Sequence, residues 1–112
     1  YLDKAKYHYE IAILLQDLPV DDSYIALASV FFKQKDFKNQ FEALTKAVRE
    51  NPENQRAKYL LATAADNYFE DDSAVIAYYE AYLKTFGEQG QFAEYAKARI
   101  KDLKTDLHMN KN

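Results

Sequence analysis

Leu27, Leu61 and Tyr95 are evenly spaced along the chain, and Ala28, Ala62 and Ala96 repeat the same interval one position later. Ala47 and Ala81 keep it as well. The shared interval, about 34 residues, is the length of a stacked helix–turn–helix unit. A simple up-down helical bundle has no reason to repeat small residues at so long a spacing. Stacked units do, because each buries its apolar face on the next. The pattern predicts an all-α chain built as an array of antiparallel helix pairs.

Composition agrees with that expectation and narrows the chemistry. Two Gly and two Pro among 112 residues leave long stretches without helix breakers. A formal charge of −3 without a clustered basic face gives no footprint for nucleic acid. The absence of Cys removes disulfides, thiolate catalysis and zinc-finger sites. Apolar runs such as Ile11 to Leu15 are far shorter than the roughly 20 residues of a membrane span. The chain starts at Tyr1 with a helix-like pattern, as a fragment of a longer protein would, so compartment, cytoplasmic or exported, stays open.

Apolar spacing predicts six helices joined by short turns, and short turns make neighbours antiparallel. Residues 1–20 read as one helix, about Leu2 to Asp17, marked by Ala5, Tyr9, Ala12, Ile13 and Leu15 and interrupted at Pro19. Residues 21–54 hold a pair, about Ser23 to Gln34 and Phe37 to Glu50, with Asp21-Asp22-Ser23 as capping oxygens. Residues 55–88 hold a second pair, about Asn54 to Phe69 and Ser73 to Phe86. Gly87 sits where a left-handed terminal residue is wanted. Residues 89–112 hold a charged helix, about Gln91 to Leu107, and a tail from His108 expected to fray.

On these residues the chain resembles the tetratricopeptide repeat family. The unit 21–54 supplies Tyr24, Leu27, Ala28, Phe31, Leu44, Ala47 and Pro52 at family positions. The unit 55–88 supplies Leu61, Ala62, Ala74, Tyr78 and Ala81, with Phe86 in place of proline. Ala5, Tyr9 and Ala12 look like the second helix of a preceding repeat. Gln40, Lys58 and Ala65 depart from the pattern. The resemblance implies a right-handed α–α superhelix of one domain, two full repeats between a half repeat and a capping helix. The run from Tyr78 to Gly87 looks like bacterial members of the family.

Catalysis has little to build on. His8 and His108 lie near opposite ends of the chain, and no Gly-rich phosphate loop, zinc motif or nucleophile elbow occurs. The acidic runs Asp21-Asp22 and Glu70-Asp71-Asp72 lack the alternating ligands of a calcium loop and suit helix N-termini instead. No enzyme activity, cofactor or metal is expected. Most tyrosines fall at helical spacing and read as core. Lys97, Lys101 and Lys104 share one face of the last helix, with Glu94, Asp102 and Asp106 near them, as in a solvated cap.

Function is expected on the faces opposite the Leu-Ala stripe. These are Asp22, Ile25, Ser29, Phe32 and Lys33, then Arg56, Tyr59, Thr63, Asp66 and Asn67, then Ala93, Lys97, Ile100 and Lys101. Stacked hairpins curve, so the stripes would line a concave groove suited to a peptide or helix with apolar anchors and polar flanks. The candidate partner-binding residues are Ile25, Ser29, Phe32, Tyr59, Thr63, Asp66, Asn67 and Lys97. The alternative is that Ile25 and Tyr59 pack against each other between neighbouring helices. The family's carboxylate clamp looks absent, since Ile25, Ser29, Leu60 and Glu94 stand at the comparable sites. A protein-interaction scaffold is therefore expected. The alternatives are the structural C-terminal end of a longer array, with docking or homo-oligomerisation through the exposed N-terminal helix face, and an accessory domain of an enzyme.

Overall fold

The computed structural model describes Lys6, Tyr7, Glu10 and residues 19–110. Among the described residues the chain is all-helical, with five helices and no strand: α1 (Val20–Lys33), α2 (Phe37–Glu50), α3 (Gln55–Tyr68), α4 (Asp72–Phe86) and α5 (Ala93–Asn110). Each packs on the next along the chain. The helix expected at Leu2–Asp17, with Ala5, Tyr9, Ala12, Ile13 and Leu15, lies outside the described residues, apart from Lys6, Tyr7 and Glu10. His8 lies outside them too. Among the described residues no helix is long and apolar enough to cross a membrane.

The helix starts have local causes. Asp36 caps α2 by accepting the Asn39 N–H, Asn54 caps α3 by accepting that of Ala57, and Asp71 caps α4 by accepting that of Ser73. Helix α1 departs from expectation. It begins at Val20 with Pro19 in the cap position and no side-chain cap bond. A proline's fixed φ suits a helix entry, and Asp21 and Asp22 lie inside the first turn, where the helix dipole favours carboxylates. The tail is also corrected: α5 continues through His108 and Met109 to Asn110.

Two apolar clusters form the core. One joins α1, α2 and α3 through Leu27, Phe31, Leu44, Ala47, Ala57 and Leu61. The other joins α3, α4 and α5 through Ala62, Val75, Tyr79, Tyr82, Ala96 and Leu103. Helix α3 is shared, and its small residues Ala57, Ala62, Ala64 and Ala65 leave room for helices on both sides. Five of the six buried residues of α1 (Ser23, Leu27, Ala28, Val30, Phe31) return at the same interval as Ala57, Leu61, Ala62, Ala64 and Ala65, while the sixth, Ile25, corresponds to the partly exposed Tyr59.

The second helices do not keep that interval. Gln40, Leu44 and Ala47 of α2 are buried, and their buried counterparts in α4 are Val75, Tyr79 and Tyr82, each one position later than the repeat would place it. The capping residues Asp36 and Asp71 shift by the same amount. A single insertion at the turn into α4 accounts for all four shifts. Tyr82, fully buried, takes the place that the sequence match assigned to Ala81, which is only half-buried.

The turns explain the difference. Between α1 and α2, Lys35 is left-handed at φ 60°, the Asp36 N–H bonds the Phe31 carbonyl, and the Lys35 N–H bonds that of Phe32. This is a Schellman ending without its usual glycine. Between α3 and α4, Phe69 is extended at φ −91° and ψ 139°. After α4, Gly87 has φ 68° and ψ −167°, a region open only to glycine. Gly90 passes so close to Tyr82 that an added Cβ would lie 2.8 Å from its hydroxyl.

Tyr95 departs from the Leu27–Leu61 series by being 67% exposed. Helix α5 buries Ala93, Ala96, Ile100 and Leu103, a single stripe, and no described helix follows to cover the Tyr95 side.

Candidate functional site

A cleft of about 490 Å³ opens between α1 and α3. Ile25, Ser29 and Phe32 come from α1, one turn apart, and Arg56, Leu60, Thr63, Asp66 and Asn67 come from α3 at the same helical spacing. Gln40 and Leu44 of α2 and Tyr79 of α4 also line it. Six of the eight expected residues therefore meet here: Ile25, Ser29, Phe32, Thr63, Asp66 and Asn67.

Tyr59 and Lys97 do not. The Tyr59 ring stacks on Phe92 at 4.7 Å and 8° between planes, with Tyr79, Tyr82 and Tyr95 around it. It fills the space between α3 and the α4–α5 pair, and its neighbours are not Ile25. Burial pushes its phenol pKa up. Ala93 and Ile100, expected on the same open stripe, are likewise buried. Aromatic packing of α5 against α3 has closed that part of the predicted groove. Lys97 lies beyond it, 2.7 Å from Glu88 and 3.8 Å from Glu94 on the outer side of α5.

The cleft's electrostatics turn on Asp66. Both its oxygens accept from Arg99, at 2.7 and 2.9 Å, and Oδ2 also accepts from the Tyr79 hydroxyl at 3.0 Å. Burial opposes the charge, but these hydrogen bonds outweigh it and hold the carboxyl below the ordinary value of 3.8. Burial, followed by the adjacent carboxylate, pushes the Tyr79 phenol well up. The hydrogen bonds to Asp66 raise the pKa of Arg99. Asp66 is thus committed to tying α3 to α4 and α5. Opposite charges separated by close to one repeat length were the available signal for this pair.

The remaining polar groups differ in freedom. Thr63 donates its hydroxyl proton to the Leu60 carbonyl at 2.8 Å, whereas Ser29, Arg56 and Asn67 are exposed at the cleft. Phe32 stands at its edge, half exposed, with its ring 6.3 Å from that of Phe37. Gln40 is only 7% exposed, and its Oε1 is buried with no hydrogen-bond partner among the described residues. Gln40, Leu44 and Tyr79 were not among the expected site residues, because second helices read as packing elements. The signal was Gln40 itself, a polar residue at a position expected to be small.

Asp21 and Gln55, one repeat apart, act as matching latches that hold the first helices in place. Asp21 accepts from the amides of Asn51 and Asn54 at 3.1 and 2.9 Å, and the bond from Asn54 leads in lowering its pKa. Gln55 Oε1 accepts from the Gln91 N–H at 2.9 Å and from the Tyr82 hydroxyl at 3.4 Å. Among the described residues no group of three or more His, Cys, Asp or Glu could hold a metal ion. Compared with known proteins, the chain matches no family model and no curated sequence.

Proposed function

We propose that this chain is a protein-interaction module of the tetratricopeptide type, non-catalytic, which holds an extended peptide segment of a partner in the α1–α3 cleft. The observation that carries the reading is the pairing of an apolar wall with exposed polar groups. Ile25, Leu44 and Leu60 line the cleft, Phe32 is exposed at its edge, and Ser29, Arg56 and Asn67 stand beside them. An apolar anchor would displace water from the wall while the polar groups bond the peptide backbone. The tetratricopeptide reading is supported by the buried set that α1 and α3 share at one repeat length and by the packing of successive helices.

Selection of a random peptide display library against the chain tests the function. Enriched peptides should lose at least about tenfold in affinity for a Phe32→Ser, Asn67→Ala variant. The variant should keep its helical circular dichroism, since both side chains are exposed. Equal affinity for wild type and variant would remove the cleft from consideration.

A second reading, docking onto further helices, is favoured by the exposed ring of Tyr95 at a position where Leu27 and Leu61 are buried. Solution scattering separates the two. Dimerisation that rises with concentration and vanishes in Tyr95→Ser supports docking.

A further inference from the structure

We propose that Gln40 is the selective floor of the α1–α3 cleft, and that it takes a peptide presenting an uncharged amide side chain, Gln or Asn, next to a bulky apolar residue. The inference rests on the reading of the cleft as a peptide site. Its starting point is a polar group the fold does not use. Gln40 lines the cleft, is more than nine-tenths buried, and leaves Oε1 without a partner among the described residues. A buried acceptor in that state is costly, so a native occurrence points to a missing donor. The corresponding position of the other hairpin is Val75, also buried and fully apolar. Packing at this site therefore does not require a polar side chain.

The missing group is neutral. An anion, for which Arg56 stands in the lining, has no proton to give Oε1, and a cation brought to so enclosed a position loses its hydration and needs a counter-charge there. Asp66, the one carboxylate in the cleft lining among the described residues, already has both oxygens on Arg99. An amide side chain offers a donor to Oε1 and an acceptor to the other end of the Gln40 amide, which reverses by a terminal rotation. The apolar neighbour follows from the wall of Ile25 and Leu60 and from the exposed Phe32 ring. A peptide, rather than a free amide, suits the shape. The cleft runs on into a second depression of about 370 Å³ that shares Ile25, Ser29 and Arg56 with it.

The test titrates three acetylated, amidated hexapeptides into the chain: Ala-Ala-Phe-Gln-Ala-Ala and its versions with Glu or Leu in place of Gln. Backbone and side-chain amide signals are followed by NMR. The Gln peptide should bind about tenfold more tightly than the other two and shift the Gln40 side-chain amide. Gln40→Leu should erase that preference while melting no lower than wild type, because it removes an unsatisfied buried group. A preference that survives in Gln40→Leu overturns the assignment. Equal binding of all three peptides overturns it too, yet leaves the cleft as a peptide site. Absence of shifts at Ser29, Phe32 and Asn67 with every peptide defeats the cleft reading itself. N-acetylglutamine methylamide binding as tightly as the Gln hexapeptide would show that a lone amide suffices and overturn the peptide.

Discussion

Lys35 shows how much a single residue can oppose the chain's own geometry. Its φ of 60° places an L side chain in the left-handed region, at a turn where glycine would carry no steric cost. Left-handed geometry costs an L-residue roughly 1–2 kcal/mol, and glycine returns part of that through its freer unfolded state. Lys35→Gly should therefore stabilise the protein by about 0.5–1 kcal/mol and raise Tm by a few degrees. A drop in the urea midpoint would show that Lys35 contributes something the turn geometry does not reveal. Tyr82 is the opposite case, a large residue whose polar end is fully used. Its hydroxyl accepts the Phe92 N–H at 2.7 Å and reaches Gln55, and Gly90 is the residue small enough to pass over it.

At the scale of elements, α3 decides the arrangement because it touches both core clusters. Ala62 has no exposed surface and belongs to the cluster with α4 and α5, while Leu61 beside it belongs to the cluster with α1 and α2. A larger side chain at Ala62 must push one helix pair away from the other. Ala62→Leu should cost about 1–3 kcal/mol. A thermal melt matching wild type would mean that the α3–α4 crossing is looser than its burial implies. The Phe69 turn matters at the same scale. Its extra residue rotates α4 so that Tyr79, rather than Tyr78, faces α3 and reaches Asp66. The half-buried Tyr78 turns instead to the rings of Phe41 and Phe69.

For the molecule as a whole, Asp66 and Asp21 are carboxylates that couple distant parts of the chain, and both titrate below 3.8. A depressed folded pKa means that the unfolded chain binds the proton first. The stability these carboxylates lend is therefore complete above the unfolded value and is lost as pH falls from about 3.8 through the folded values. Urea midpoints measured from about pH 6 to about pH 2 should fall in the acid range, and Asp66→Asn should flatten part of that fall. An identical acid slope in wild type and variant would show that the Arg99 pair carries no net stability.

Much of this protein was legible in its order of residues. Helix content follows from the scarcity of Gly and Pro, Asp71 caps α4 from an acidic run that suits a helix N-terminus, and Leu27, Ala28, Leu61 and Ala62 are buried as their spacing predicts. These are local or periodic properties, and periodicity survives without knowledge of neighbours. The meeting of Ile25, Ser29, Phe32, Thr63, Asp66 and Asn67 in one cleft follows from the same periodicity. What depended on the tertiary structure was which partner each face meets. Tyr59 has the same helical phase as the cleft residues, yet α5 brings Phe92 over its ring. Ala81 matches Ala47 in sequence, yet a single insertion at a turn gives the buried place to Tyr82. Gln40 looks like a loosened packing position, and only its enclosure beside the cleft makes its unpaired oxygen a candidate for binding. Spacing along a chain specifies directions within one helix, whereas burial and hydrogen-bond satisfaction depend on how separate helices are placed against each other.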